Sequence, residues 1–112
     1  MERLGKIKSK KDAKVFLDGD ELCREYFQTE KLTFGMSELK PGMTGGLDPG
    51  HADAHEVFFC VKGHVLCYFP EDGNYYELEA GDALLIPPAT GHRLTNIGDE
   101  DAVIIWSCAP RP

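Results

Sequence analysis

The sequence lacks a long apolar run, an excess of positive charge, a sustained helical repeat and any closely spaced cysteine pair. No stretch approaches the roughly 20 apolar residues of a membrane-spanning helix, so no membrane span is expected. Lys and Arg number 12 against 19 Asp and Glu, a formal net charge of −7. That balance repels phosphate backbones and anionic lipid, which argues against nucleic acid or a membrane as partner. Cys23, Cys60, Cys67 and Cys108 form no C-x-x-C pair. The basic start MERLGKIKSKKDAK leads into no apolar segment of the kind a secretory leader needs. Reduced thiols in a cytoplasmic protein are therefore expected. A nucleophile–base pair is missing too: Ser37 and Ser107 fall in strand-like runs with no histidine close by in sequence.

What the sequence does have is short apolar runs punctuated by Gly, Pro, Asp and Asn, in a length of 112 residues that suits one domain. The runs predict strands at 13–17, 22–27, 32–39, 56–62, 64–69, 75–78, 83–87, 93–96 and 102–108. Many short strands at close spacing imply an antiparallel sandwich or barrel. Residues 8–14 are charged and read as a helical turn or a loose solvated segment, so that residues 1–14 carry no assigned role.

Chemistry-bearing residues concentrate in two segments, PGHADAHEVFFCVKG (residues 49–63) and GDALLIPPATGHRLTN (residues 81–96). In the second, an apolar strand is stopped by Pro87-Pro88, because proline cannot donate to a sheet ladder, and Gly91 permits a tight return toward His92. Gly81, Pro87, His92 and Asn96 fall at the spacing G-x5-P-x-G-x2-H-x3-N, with Ala89 in place of the middle glycine. That substitution suggests a turn that needs no positive φ at Ala89. In the first segment, Glu56 and Gly63 satisfy E-x6-G.

These paired motifs, across residues 32–106, resemble those of the cupin superfamily. The resemblance implies an all-β, antiparallel jelly-roll β-barrel spanning residues 1–112, with the motifs inside 42–96. It also implies a metal ligand at His92. The family's first motif is G-x5-H-x-H-x3,4-E-x6-G, and here it departs. A four-residue spacer before Glu56 places His51 at the second histidine and Pro49 at the first, and proline cannot ligate. A three-residue spacer would place Gly50 and Ala52 there. From Gly42 to Glu56 the chain is one residue longer than the family's longer form allows.

Imidazole and carboxylate donors suit a divalent first-row metal such as Fe, Mn, Ni, Co or Zn. His51, Glu56 and His92 would make two histidines and one carboxylate, the set that leaves positions open for other ligands. A fourth ligand is expected from His55, with Asp53 and Asp48 as alternatives. His55 adjoins Glu56, so only a bulge or an early strand start would bring both to one ion.

If Glu56 faces inward, period two sends Phe58 and Cys60 inward as well, while Ile104, Trp106 and Cys108 share a face of the last strand. Phe58, Cys60 and Trp106 are thus candidates to line a small-molecule cavity. A hairpin centred on Lys62-Gly63 would set Cys60 opposite Val65, out of register for a bridge to Cys67. His64 is expected at the surface, and Arg24 and Arg93 are the cations available to an anionic substrate. The resemblance further implies a homodimer formed by pairing sheets and exchanging N-terminal strands. Functionally it implies a metal-dependent enzyme of oxygenase, isomerase or lyase type acting on a small organic molecule. The alternative is a metal-free module that binds or senses a small ligand.

Overall fold

A computed structural model describes residues 3–110. Nine strands run β1 Lys14–Asp18, β2 Glu21–Gln28, β3 Thr33–Leu39, β4 His55–Lys62, β5 His64–Phe69, β6 Asn74–Glu79, β7 Ala83–Ile86, β8 Arg93–Asn96 and β9 Ala102–Ala109. Each sequence-predicted strand is present within about two residues of its expected ends. The charged stretch before β1 contains one short 3-10 turn, Lys10–Asp12, with the Ser9 hydroxyl donating to Asp12. Among the described residues no helix is long and apolar enough to cross a membrane.

All pairings are antiparallel. A six-stranded sheet runs β1-β2-β3-β9-β4-β7, and a three-stranded sheet runs β6-β5-β8. This is the all-β barrel expected from the strand spacing. The anticipated β4–β5 hairpin does not form, however. Cys60 pairs with Ile104 of β9, and Val65 pairs with Leu78 and Asn96 in the other sheet. Gly63 passes the chain from one sheet to the other, and the backbone of Ala102 lies only 2.8 Å from where a Cβ would stand there. All four cysteines are free and buried.

Strand alternation then fixes which side chains face inward. On β9 the inward set is Ala102, Ile104, Trp106 and Cys108; on β4 it is Glu56, Phe58 and Cys60. Registers align them in rows across the large sheet. Ile86, Glu56, Cys108, Thr33 and Gln28 form one row, and Leu84, Phe58, Trp106, Gly35 and Glu25 form the next. Polar residues thus occupy the mouth of the barrel. Deeper in, Cys60, Ile104, Val65, Cys67, Leu78 and Leu94 close the apolar core, each large aliphatic contributing about 1.5–3 kcal/mol on burial.

The outward face of the large sheet is also apolar. Val57, Phe59 and Val61 of β4, Leu85 of β7 and Phe34 of β3 are all exposed there.

Gly35 is the point at which the polar and apolar rows meet. A Cβ there would stand 2.3 Å from two carbons of the Trp106 ring and 2.6 Å from the Arg24 carbonyl. Gly35→Ala must push the indole out of its place, and should cost about 1–3 kcal/mol as overpacking does. Urea denaturation checks this; stability equal to the parent would mean the ring has room to move.

Candidate metal centre

Residues 42–48 form no regular strand, yet they are zipped along β8. Gly42 donates to the Asn96 carbonyl (3.0 Å), Asn96 to Met43 (3.0 Å) and Gly45 to Leu94 (2.9 Å). The zip ends on Asp48 and His92, which exchange two backbone hydrogen bonds of 2.9 Å each. Directly opposed residues of an antiparallel pair project to the same face. Asp48 and His92 therefore point into the barrel together.

The chain next turns at Gly50. Its N–H donates to Asp48 Oδ1 (2.8 Å), and its φ is +90°. A Cβ there would meet the Thr90 backbone at 2.6 Å, so this close crossing demands glycine. The neighbouring turn corrects one expectation: Ala89 does adopt positive φ, +57°. That conformation aims its N–H at the His51 carbonyl (2.7 Å), tying the two segments together. The tie holds alanine in a region it disfavours, at a cost of about 1–3 kcal/mol.

Four donor atoms converge. His92 Nε2 lies 3.0 Å from Glu56 Oε1 and 3.6 Å from Asp48 Oδ2, while His51 Nε2 lies 3.8 Å and 3.9 Å from the same two oxygens. Two atoms each about 2.1 Å from one ion are about 3.0 Å apart at a right angle and about 4.2 Å apart at most. Those four separations fall inside that span, and the ligand atoms gather as two overlapping triads that share Glu56: Asp48, Glu56 and His92, and His51, Glu56 and Cys108.

The protonation pattern fits as well. His92 Nδ1 is 3.0 Å from the Thr90 carbonyl, which can only accept, so Nδ1 carries the hydrogen. In the neutral ring Nε2 then presents a lone pair toward the carboxylates, as a metal-bound imidazole does. Glu56 is 5% exposed and its Oε1 accepts no hydrogen bond, despite lying 3.0 Å from Nε2. An imidazole lone pair facing a buried bare carboxylate oxygen repels it unless a cation lies between. A proton can supply that charge. Burial pushes the His92 pKa down, but the Glu56 carboxylate, the Thr90 carbonyl and the Asp48 charge outweigh it and hold the group above its ordinary value. A divalent ion can supply it too; Asp48, Glu56 and His92 are grouped to hold one, with His51 beside the two carboxylates.

Of the expected ligands, then, His51, Glu56 and His92 come together and His55 does not. No bulge intervenes: His55 pairs with Ala109 in regular register, so its side chain leaves on the outer face, exposed. Asp53 is exposed as well. Asp48, an alternative to His55 in the sequence, is instead brought beside Glu56 and His92 through its pairing with His92. Cys108 was expected only to share a face with Trp106, yet its sulfur comes within 4.8 Å of ligand atoms of His51 and Glu56. Burial, reinforced by the Glu56 charge, pushes its thiol pKa far up. Asn96 closes the motif without taking part in the centre. Its amide donates to the Leu39 and Glu100 carbonyls and accepts from Gly98, each at 2.8 Å.

The cluster opens into a cavity of about 190 Å³. Phe58 and Trp106 line it. Cys60 does not; it is fully buried beyond the cavity, its thiol turned to the Lys62 and Gly63 carbonyls. Asp18, Glu21, Glu25 and Thr33 also line it. Glu21 lies in a network the sequence did not suggest. The Ser37 hydroxyl donates to its carboxylate and accepts from Trp106 Nε1 (2.9 Å). His64 is ion-paired at the surface with Glu77.

Desolvation raises the Glu21 pKa above its ordinary 4.5, more than the Ser37 hydrogen bond lowers it. An acid whose folded pKa is raised favours folding fully below its unfolded value, and that contribution is lost as pH rises through the folded pKa. Glu21→Gln removes the effect. Relative to this variant, the parent should lose stability as pH rises above about 4.5. Denaturation of both metal-stripped proteins across pH 4–8 measures it; parallel profiles would contradict the raised pKa.

The family profile of the cupin domain matches residues 35–108. A glucose-6-phosphate isomerase of Thermococcus litoralis is 30% identical over 108 residues, covering 82% of this chain and 57% of that protein. The enzyme of the same name from Pyrococcus furiosus is 33% identical over 84 residues, covering 66% of this chain and 44% of that protein. The chain thus spans about half the length of these curated relatives. Among solved structures, KdgF from a Halomonas species superposes with a TM-score of 0.79 at 18% identity, covering 96% of both chains. A Cupin 2 conserved barrel domain protein from Salinispora arenicola gives 0.77 at 19% identity, covering 96% of this chain and 90% of that one. At those identities the likeness is one of fold, and with the profile match across both motifs it places this chain in the cupin family.

Proposed function

We propose that this protein is a metal-dependent cupin enzyme acting on a small hydroxylated organic molecule, by chemistry of the isomerase type. The observation that carries the reading is the convergence of two imidazole Nε2 atoms on two carboxylate oxygens at 3.0–3.9 Å, with Glu56 Oε1 otherwise unpartnered. The choice of isomerase chemistry follows the relatives named above, and it is this chain's donors that make it workable. A divalent ion bound there would supply Lewis acidity, polarising a carbonyl or hydroxyl oxygen of the substrate. The remaining steps fall to side chains. Trp106 and Phe58 provide apolar surface for a carbon skeleton. Glu21, desolvated and anchored by Ser37, is placed to take a proton from substrate and return it. Among Fe, Mn, Ni, Co and Zn, a set with two carboxylates leans toward the harder ions, Mn and Fe.

Protein purified without chelator should hold close to one equivalent of metal by elemental analysis. His92→Ala and Asp48→Ala should each lower metal affinity by at least about tenfold, as loss of a ligand or its close support does. His55→Ala should leave it unchanged. Substoichiometric metal in the parent, or equal loss in His55→Ala, would leave a metal-free ligand-binding module as the better account.

We also propose that two copies pair through the outward face of the large sheet. Val57, Phe59, Val61, Leu85 and Phe34 form a contiguous, uncharged apolar patch of a kind monomers rarely leave in water. Such a patch can pair with a second copy of itself across a two-fold axis. Sedimentation equilibrium should give a dimer for the parent and a monomer for Phe59→Glu; a monomeric parent would refute the pairing.

A further inference from the structure

Glu56 of β4 and Cys108 of β9 stand directly opposite each other in the antiparallel register. Opposed residues project to one face, so the backbone itself sets this thiol beside the buried carboxylate. Among the described residues, only Cys108 of the four cysteines joins a histidine and a carboxylate in one group of ligand atoms. The others are engaged elsewhere. The Cys23 sulfur lies 3.4 Å from Ser37 Oγ and donates to Glu21, while Cys60 turns to the Lys62 and Gly63 carbonyls. Cys67 belongs to the apolar core.

His51, Glu56 and Cys108 offer one nitrogen, one oxygen and one sulfur, all within 4.8 Å of one another. Around a tetrahedral ion, a nitrogen and a sulfur donor stand about 3.6 Å apart. Glu56 and Cys108 are fixed by adjacent strands, whereas His51 lies in no strand and is the member able to close the remaining gap. A metal ion needs no exposed surface, only donors around it and an entry path. The cavity lined by all three residues supplies that path. A second observation points the same way: Glu56 Oε1 is buried and accepts no hydrogen bond. The two triads that share Glu56 differ in chemistry. Asp48, Glu56 and His92 present two oxygens and a nitrogen, a hard set, whereas a thiolate selects softer ions.

We propose that His51, Glu56 and Cys108 form a second ion position in this pocket, one that takes a thiophilic divalent cation such as Zn2+ or Cd2+. Three protein ligands leave the fourth coordination place open to the cavity. On binding, the sulfur gives its proton to solvent, and the electron pair left behind forms the metal–sulfur bond. Nothing is oxidised or reduced. The inference rests on the metal-centre reading, since both positions use Glu56, and it adds a selection among ions by the softness of their donors.

The test is titration of the metal-stripped full chain with Co2+ and, separately, Cd2+, under a thiol-free reductant, followed by ultraviolet absorption. Thiolate bonds to these ions absorb strongly there by charge transfer, and imidazole and carboxylate bonds do not. All four cysteines are buried, so no surface thiol can supply the band. The parent should develop the band as metal is taken up, Cys108→Ser and Cys108→Ala should lack it, and Cys23→Ala should keep it. In competition measurements, Cys108→Ser should weaken Cd2+ at least about tenfold more than Mn2+, and Asp48→Asn should do the reverse. The parent's band, read before any variant, already decides whether a thiolate binds. Uptake of both ions without the band would overturn this position and leave the metal centre standing. No uptake of either ion would overturn both, and a band that persists in the two Cys108 variants would overturn the assignment of the sulfur.

Discussion

A carboxylate buried at the mouth of the barrel, one oxygen of which faces an imidazole nitrogen 3.0 Å away, governs the arrangement around it. Glu56 reaches that position because strand alternation allows it no other, between Phe58 inside and Val57 outside. Burying an unpaired charge costs several kcal/mol unless a cation or a set of donors answers it. Every unusual feature nearby supplies part of that answer. Asp48 is annealed to His92, His92 is oriented by the Thr90 carbonyl, and His51 is held by an alanine in a left-handed turn. The result is a preorganised pocket for positive charge, built by segments distant in sequence.

The departure from the family's first motif is chemically coherent. Proline occupies the position of the first histidine, and the chain compensates one residue earlier with Asp48. In the proposed metal centre, a carboxylate there would stand in for an imidazole and make the donor set harder and more negative. That added charge joins a wall already carrying Asp18 and Glu21.

The fold was legible because its signals are local. Turn residues between short apolar runs placed all nine strands, and period two correctly put Glu56, Phe58, Trp106 and Cys108 on inner faces. Period two also carried the objection to His55, which faces away from Glu56. What the sequence hid is what depends on pairing. The irregular stretch 42–48 looks like loop, and only its zip against β8 delivers Asp48. The turn at Gly63 reads as a hairpin, yet it changes sheets. Ala89 stands at the motif's glycine yet keeps the positive φ that glycine would take, held there by a hydrogen bond to His51, distant in the chain. Glu21, Thr33 and Ser37 carry no motif at all. Their roles arise from cross-strand rows, such as that joining Glu56, Cys108 and Thr33.

The most direct test of the central claim, that this pocket is built to hold a divalent cation, is anomalous diffraction from crystals of protein prepared without chelator. Data collected on either side of the Mn, Fe, Co, Ni and Zn edges should show one strong peak within about 2.0–2.3 Å of Glu56 Oε1 and His92 Nε2, beside Asp48 and His51. A well-ordered pocket with no peak, in which His92 donates a proton directly to Glu56, would contradict it.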